Sequence, residues 1–283
     1  MKVGVFIVGA PKAGTTSLHH HLDEHPDIVM SSRKETDYFS SNEILDQGLY
    51  YNTNPILSLE DYLNLFPSLE DDKLYGESSV SYLFYSSVAD NIYKYNPSSK
   101  IIIMLRDPLH RAFSHYLMDR RMGLNSKKFD EIFDEGSGLF FQQYFEIGKY
   151  TEQIKRYISV FGREKVHIIW YSDFKKFPHG EIKSLYRFLG VDEDFIPNLG
   201  EVHNRFFIPK NILIKNLYTS PLIRRCVKYF FGDKISILKR LLFQSTKKPQ
   251  LSALLIDKIQ DYYFDDICQL EILLDKDLSS WKR

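Results

Sequence analysis

Short apolar runs alternate with amphipathic stretches along nearly the whole chain. Val3, Val5, Phe6, Ile7 and Val8 form a β-branched run without polar alternation. That is the pattern of a parallel strand buried on both faces. Residues 28–30, 74–77, 100–105 and 166–171 repeat it. Between these runs the apolar positions recur at helical spacing, which predicts helices over 15–25, 88–95, 108–122, 148–161, 182–189 and 251–274. Leu59, Tyr62, Leu63 and Phe66 share the same spacing. Residues 40–58 and 198–211 read as loops.

Strands alternating with helices imply a parallel sheet covered on both faces. The expected class is α/β, a P-loop-type three-layer fold with a central parallel sheet, flanking helices and a helical C-terminal portion. One domain over 1–283 is expected, since no repeat, low-complexity tract or linker interrupts the alternation. In such sheets ligands bind at the carboxyl ends of the strands.

The first such end carries the strongest chemistry. Gly9 to Gly14 form a glycine-bounded loop, and Thr15, Thr16 and Ser17 open the helix behind it. Backbone N–H groups and the helix dipole make this junction an anion seat. The spacing nearly fits the triphosphate pattern GxxxxGK[ST], but Thr15 holds the lysine position and the lysine stands inside the loop as Lys12. A tight turn that needs Gly14 for its backbone geometry alone would look similar. A second strand end, after 100–105, releases Arg106, Asp107 and Pro108. Asp107 suits an N-cap and Pro108 a first helical residue. Arg106 there suits a multidentate grip on phosphate, or a salt bridge with Asp107. Ser114, two turns on, can add a hydroxyl.

Composition changes little. Lys+Arg and Asp+Glu are each 37, so the balance of charge indicates no nucleic-acid partner. Locally, residues 205–248 hold eleven Lys/Arg and one acid, Asp233, among apolar runs. This is a solvated face or helical cap, or else a lid or a peripheral face for anionic or lipid-linked acceptors. Cys226 and Cys268 fit neither a disulfide framework nor a metal site. His19, His20 and His21 are consecutive and point to different faces of their helix, so no metal is expected. No stretch approaches the ~20 apolar residues of a membrane span, and a reducing, cytoplasmic location is expected.

Together, residues 11–18 (PKAGTTSL) and 105–115 (LRDPLHRAFSH) resemble the two anion-binding motifs of the sulfotransferases that use 3′-phosphoadenosine 5′-phosphosulfate (PAPS). The similarity is greatest to the heparan-sulfate-type and bacterial branch. It extends to residues 33–39 (RKETDYF), 76–82 (GESSVSY), 148–150 (GKY), 202–205 (VHNR) with Pro209, and 277–281 (DLSSW). The resemblance implies that Lys12, Ala13, Gly14, Thr15, Thr16 and Ser17 hold the 5′-phosphosulfate and that Arg106 and Ser114 hold the 3′-phosphate. It also implies that His203, Asn204 and Arg205 close over the nucleotide. Lys12 would stabilise the leaving group, and Glu35 would take the proton from the acceptor. Lys34, Asp37, Tyr38, Glu77, Tyr82 and Tyr150 are the candidate acceptor-side residues.

The implied reaction is sulfuryl transfer to a hydroxyl or amine, leaving 3′,5′-adenosine bisphosphate (PAP), with no metal required. A carbohydrate or glycolipid is the first expected acceptor and a hydroxylated small metabolite the second. Asp37 and Ser78 replace a histidine and a lysine found in some heparan-type members, a departure on the acceptor side. Two other classes remain open at this point: a kinase-like phosphoryl transferase and a non-catalytic nucleotide-binding protein. Thr15 at the triphosphate lysine position argues against the first. The joint presence of Lys12 and Glu35 argues against the second.

Overall fold

A computed structural model of the chain describes residues 2–48, 54–67, 72–198, 207–209, 243–245 and 249–282. Five parallel strands form the central sheet: β1 (Val5–Gly9), β2 (Ile28–Met30), β3 (Leu74–Ser78), β4 (Lys100–Leu105) and β5 (Val166–Trp170). Their order across the sheet is β2-β3-β1-β4-β5, so β1 lies at the centre with Val5 opposite both Gly76 and Lys100. Every residue of β1 is buried, and so is all of β4 except Lys100, as expected for strands covered on both faces. A short antiparallel pair, β6 (Phe207–Pro209) and β7 (Phe243–Ser245), stands apart from this sheet.

The helices are α1 (Thr15–Asp23), α2 (Ser41–Gln47), α3 (Leu59–Leu63), α4 (Val88–Tyr95), α5 (Pro108–Met122), α6 (Phe129–Glu135), α7 (Gly138–Tyr144), α8 (Thr151–Phe161), α9 (Tyr171–Lys176), α10 (Pro178–Leu189) and α11 (Ala253–Leu274). Several boundaries follow from local chemistry. The Asp107 carboxylate accepts the His110 N–H at 2.8 Å, and Pro108 occupies the first turn. α5 then ends at Gly123, in the left-handed region at φ 73°. α8 begins at Thr151 rather than at Gly148, because the Asp266 carboxylate takes the free N–H groups of Tyr150 and Thr151 at 2.8 and 3.2 Å. α10 starts earlier than the apolar spacing indicates, because Pro178 fits its first turn.

α1 stops at Asp23, two residues short of the prediction. His25 instead faces into the core between Tyr186 and Phe195 and accepts the Asp27 N–H at 3.1 Å. The region read as loop at 40–58 contains α2, whose single buried residue is Ile44. One apolar anchor leaves no periodicity to read.

Candidate active site

Four strand ends meet along the carboxyl edge of the sheet: those of β3, β1, β4 and β5, in that spatial order. The loop after β1 is held tightly against its neighbours. Ala10 N–H donates to the Met104 carbonyl of β4 at 2.8 Å, and Leu83 N–H donates to the Val8 carbonyl at 2.8 Å. A Cβ at Gly9 would lie 2.7 Å from Leu83 Cβ, so only glycine lets these segments approach. Lys12 turns the loop at φ 68° and Gly14 at φ 104°. The first-turn N–H groups of α1, from Thr15, Thr16 and Ser17, then face the loop without intrahelical partners. Ala13 is buried under it, with its N–H on the Ala10 carbonyl at 3.2 Å.

Lys12 and Arg106 form one unit. The Arg106 guanidinium donates to the Lys12 carbonyl at 3.0 Å and stacks over the Tyr171 ring at 4.7 Å. It is not paired with Asp107, whose carboxylate caps α5 and approaches His110 Nδ1 at 2.9 Å. Tyr150 hydroxyl donates to the Arg106 carbonyl at 2.9 Å and is itself 1% exposed. Tyr150 therefore braces the arginine from behind and does not line an acceptor cleft. Ser114 lies half-buried on α5 with its hydroxyl unpaired among the described residues.

The Lys12 ammonium contacts the Met118 sulfur at 3.3 Å. Burial, then the positive charges of Arg121, Arg106 and Lys34, push its pKa down to about 8, against the opposing pull of Asp119. A buried ammonium in cationic surroundings is suited to an anionic ligand. Arg121 is a member of this cluster that the motifs did not reveal. It follows Ser114 by seven residues and Met118 by three, the spacing of one helical face. Beside Arg106, a pocket of about 260 Å³ opens between the ends of β4 and β5, with Asp107, His110, Tyr171, Ser172 and Trp281 in its wall.

Glu35 stands at the rim, with its side chain 36% exposed. One carboxylate oxygen pairs with the Lys34 ammonium and the other accepts the Val80 N–H at 2.8 Å. Glu35 N–H donates to the Ser78 carbonyl at 2.8 Å, which ties this loop to the end of β3. Tyr38, half-buried, stacks on Tyr62 with centroids 4.8 Å apart. Lys34 and Tyr38 thus remain partly accessible near Glu35.

The other acceptor-side candidates face inward. Asp37 is 5% exposed and accepts the Ser81 hydroxyl at 2.6 Å; burial pushes its carboxyl up to about 6. Glu77 is fully buried and accepts four hydroxyls: Thr36 at 2.5 Å, Ser79 at 3.1 Å, Tyr82 at 2.9 Å and Tyr62 at 3.1 Å. Burial pushes it up to about 7, against the pull of those bonds. Tyr82 is fully buried as well. The sequence pattern marked these three, but β3 is buried on both faces at Glu77, and the loop carrying Asp37 and the turn carrying Tyr82 pack their side chains inward over it. His203, Asn204 and Arg205, and nearly all of the basic stretch 205–248, lie outside the described residues.

The order 2-3-1-4-5 and the loop after β1 define a P-loop-type protein, with Lys12 and Arg106 on neighbouring strand ends. Residues 3–202 match the sulfotransferase domain model, and the chain belongs to that family. A sulfotransferase structure from Alicyclobacillus acidocaldarius superposes over 100% of both chains with a TM-score of 0.73 and 28% identity. Heparan sulfate glucosamine 3-O-sulfotransferase 5 of Mus musculus is 27% identical over 192 residues, covering 65% of this chain and 52% of its own. Membrane-associated sulfotransferase kil1 of Dictyostelium discoideum is 34% identical over 110 residues, covering 39% and 21%. The chain thus spans about a fifth to a half of these curated relatives' length. Among the described residues no helix is long and apolar enough to cross a membrane, and no three His, Cys, Asp or Glu side chains gather as a metal site.

Proposed function

We propose that the chain transfers a sulfuryl group from PAPS to a hydroxyl or amine of a carbohydrate or glycolipid acceptor. The observation that carries this is the Lys12–Arg106 pair: a half-buried lysine in a glycine-bounded loop, whose backbone carbonyl accepts from a second cation on the neighbouring strand end. A donor with one 5′-phosphosulfate and one separate 3′-phosphate needs a cation at each. A triphosphate needs a single cradle with its lysine where Thr15 stands.

The donor supplies an activated sulfuryl group with PAP as leaving group. The amides at 14–17 and Lys12 hold the 5′ end, with Ala13 shaping the loop through its own bond to Ala10, while Arg106 and Ser114 hold the 3′-phosphate. His203, Asn204 and Arg205 are assigned to the nucleotide on their motif alone. Glu35 takes the proton from the acceptor as the acceptor oxygen or nitrogen forms its bond to sulfur. The sulfur–oxygen bond to the 5′-phosphate breaks, its electron pair stays on the phosphate oxygen, and Lys12 balances the charge that develops there. Lys34 pairs with one Glu35 carboxylate oxygen and helps to orient it.

Carbohydrate is favoured because the heparan sulfate and carbohydrate sulfotransferases are among the relatives. The test is Glu35→Gln, assayed with PAPS against a panel of desulfated glycosaminoglycans, glycolipids and phenols. The variant should bind PAP with unchanged affinity and lose transfer by about a hundredfold or more, as expected for removal of a general base. Near-normal transfer would remove Glu35 from that role.

A further inference from the structure

Glu35 and Asp37 both occupy the left-handed backbone region, at φ 59° and 52°. That conformation is unfavourable for non-glycine residues and persists only when the surroundings impose it. Thr36 between them is fully buried. What imposes the geometry lies beneath it, on β3.

Four hydroxyls point at the Glu77 carboxylate, those of Thr36, Ser79, Tyr82 and Tyr62, at 2.5 to 3.1 Å. In its ionised form the carboxylate only accepts, and each of these groups can then donate its single proton to Glu77 rather than share it along the Thr36–Tyr82 and Thr36–Ser79 contacts at 3.0 and 3.3 Å. Their lone pairs are then left for other donors. Three of them take consecutive backbone N–H groups of the segment after Glu35. Ser79 accepts from Asp37 N–H at 3.1 Å, Thr36 from Tyr38 N–H at 3.4 Å, and Tyr82 from Phe39 N–H at 3.2 Å. The turn that carries Ser79 also carries Val80, whose N–H holds Glu35 at 2.8 Å.

We infer that Glu77 is a positioning residue for the transfer reaction: by fixing the direction of the Thr36, Ser79 and Tyr82 hydroxyls, it holds the strained 35–39 loop and presents the Glu35 carboxylate. This deepens the assignment of Glu35 as the base and rests on it. Glu77 touches neither donor nor acceptor, being fully buried. Its effect is directional. A glutamine in its place keeps shape and volume but brings an N–H₂ donor, which turns at least one hydroxyl around and withdraws it from its backbone N–H.

The experiment is Glu77→Gln, followed by amide hydrogen exchange, PAP titration and transfer to the acceptor that the wild type uses in the panel. Exchange at Asp37, Tyr38, Phe39 and Val80 should accelerate by about tenfold or more, while the central strands stay protected. PAP affinity should hold within about twofold, and kcat should fall about tenfold or more with acceptor KM little changed, because positioning is lost and binding is not. A residue that only fills space would leave all of these as in the wild type. Unchanged exchange at those four amides overturns the inference. If Glu35→Gln retains transfer, the base assignment fails, and the exchange measurement still decides whether Glu77 holds the loop. Should Glu77→Gln not fold, Thr36→Val removes one hydroxyl with its shape kept. Faster exchange at Tyr38 with a loss of kcat supports the inference, and neither change refutes it.

Discussion

Lys12 gives the account its sharpest pH signature. Its ammonium is buried among Arg121, Arg106 and Lys34, and its pKa falls from 10.5 to about 8. Holding the charge there costs about 3 kcal/mol relative to water. A bound 5′-phosphate offsets that cost, so the donor should bind the protonated form and raise the pKa again. With a free-state pKa near 8, the protonated fraction drops from about nine-tenths at pH 7 to about one-tenth at pH 9. The Kd for PAP should therefore weaken about tenfold across that interval. Calorimetry in buffers of different ionisation enthalpy adds a second reading: at pH 8.5 about three-quarters of a proton should be taken up per PAP bound. Lys12→Arg keeps its charge at every accessible pH, so its Kd should lose the slope. A flat wild-type Kd from pH 7 to 9 without proton uptake would refute the placement of Lys12 against the donor. So would an arginine variant that keeps the full slope.

Three further outcomes follow from the same geometry. Arg106→Lys can neither stack on Tyr171 nor reach two partners as a planar fork, so PAP affinity should fall about ten- to a hundredfold, and affinity for 5′-AMP, which lacks the 3′-phosphate, much less. Tyr150→Phe should lower PAP affinity by about three- to tenfold through loosening of Arg106, measured by the same titration, with acceptor KM unaffected. Glu77, raised from 4.5 to about 7 by burial, makes the native state favour its protonated form. Its contribution to stability is fully present below pH 4.5 and is lost as pH rises through 7, a span of about 3 kcal/mol. Urea melts of Glu77→Gln between pH 5 and 8 should differ from the wild type by the loss of that fall in stability, while His19, His115 and His167, whose pKa values burial lowers, pull the opposite way in both proteins. A variant whose slope equals the wild type's would contradict the burial-driven shift.

The parts legible in the sequence are those with local causes. The β1 strand, its glycine loop and the start of α1 are contiguous, and each residue's chemistry declares its place. The same holds for β4, the Asp107 cap and Pro108. The parts that were not legible are long-range. Glu77 reads as a polar residue at a strand end, and nothing local shows that Tyr62, fifteen residues earlier, and Thr36, forty-one residues earlier, aim their hydroxyls at it. Tyr150 carried a motif position, yet its use as a prop for Arg106 depends on how α8 packs, and that depends on Asp266 of α11. Trp281 entered only through the resemblance of the C-terminal segment, and the fold brings it to the pocket beside Arg106. α2, α6 and α7 are seven residues each with few buried positions, too short for periodicity to mark them.

On the proposed reading, the sites around Lys12 and Arg106 together select a 3′-phosphorylated nucleotide. Titration of the protein with PAP and with ATP, both in EDTA, tests that reading most directly. PAP should bind at least about a hundredfold more tightly than ATP, since only PAP fills both sites, a difference near 3 kcal/mol. Equal affinities, or tighter binding of ATP, would contradict it.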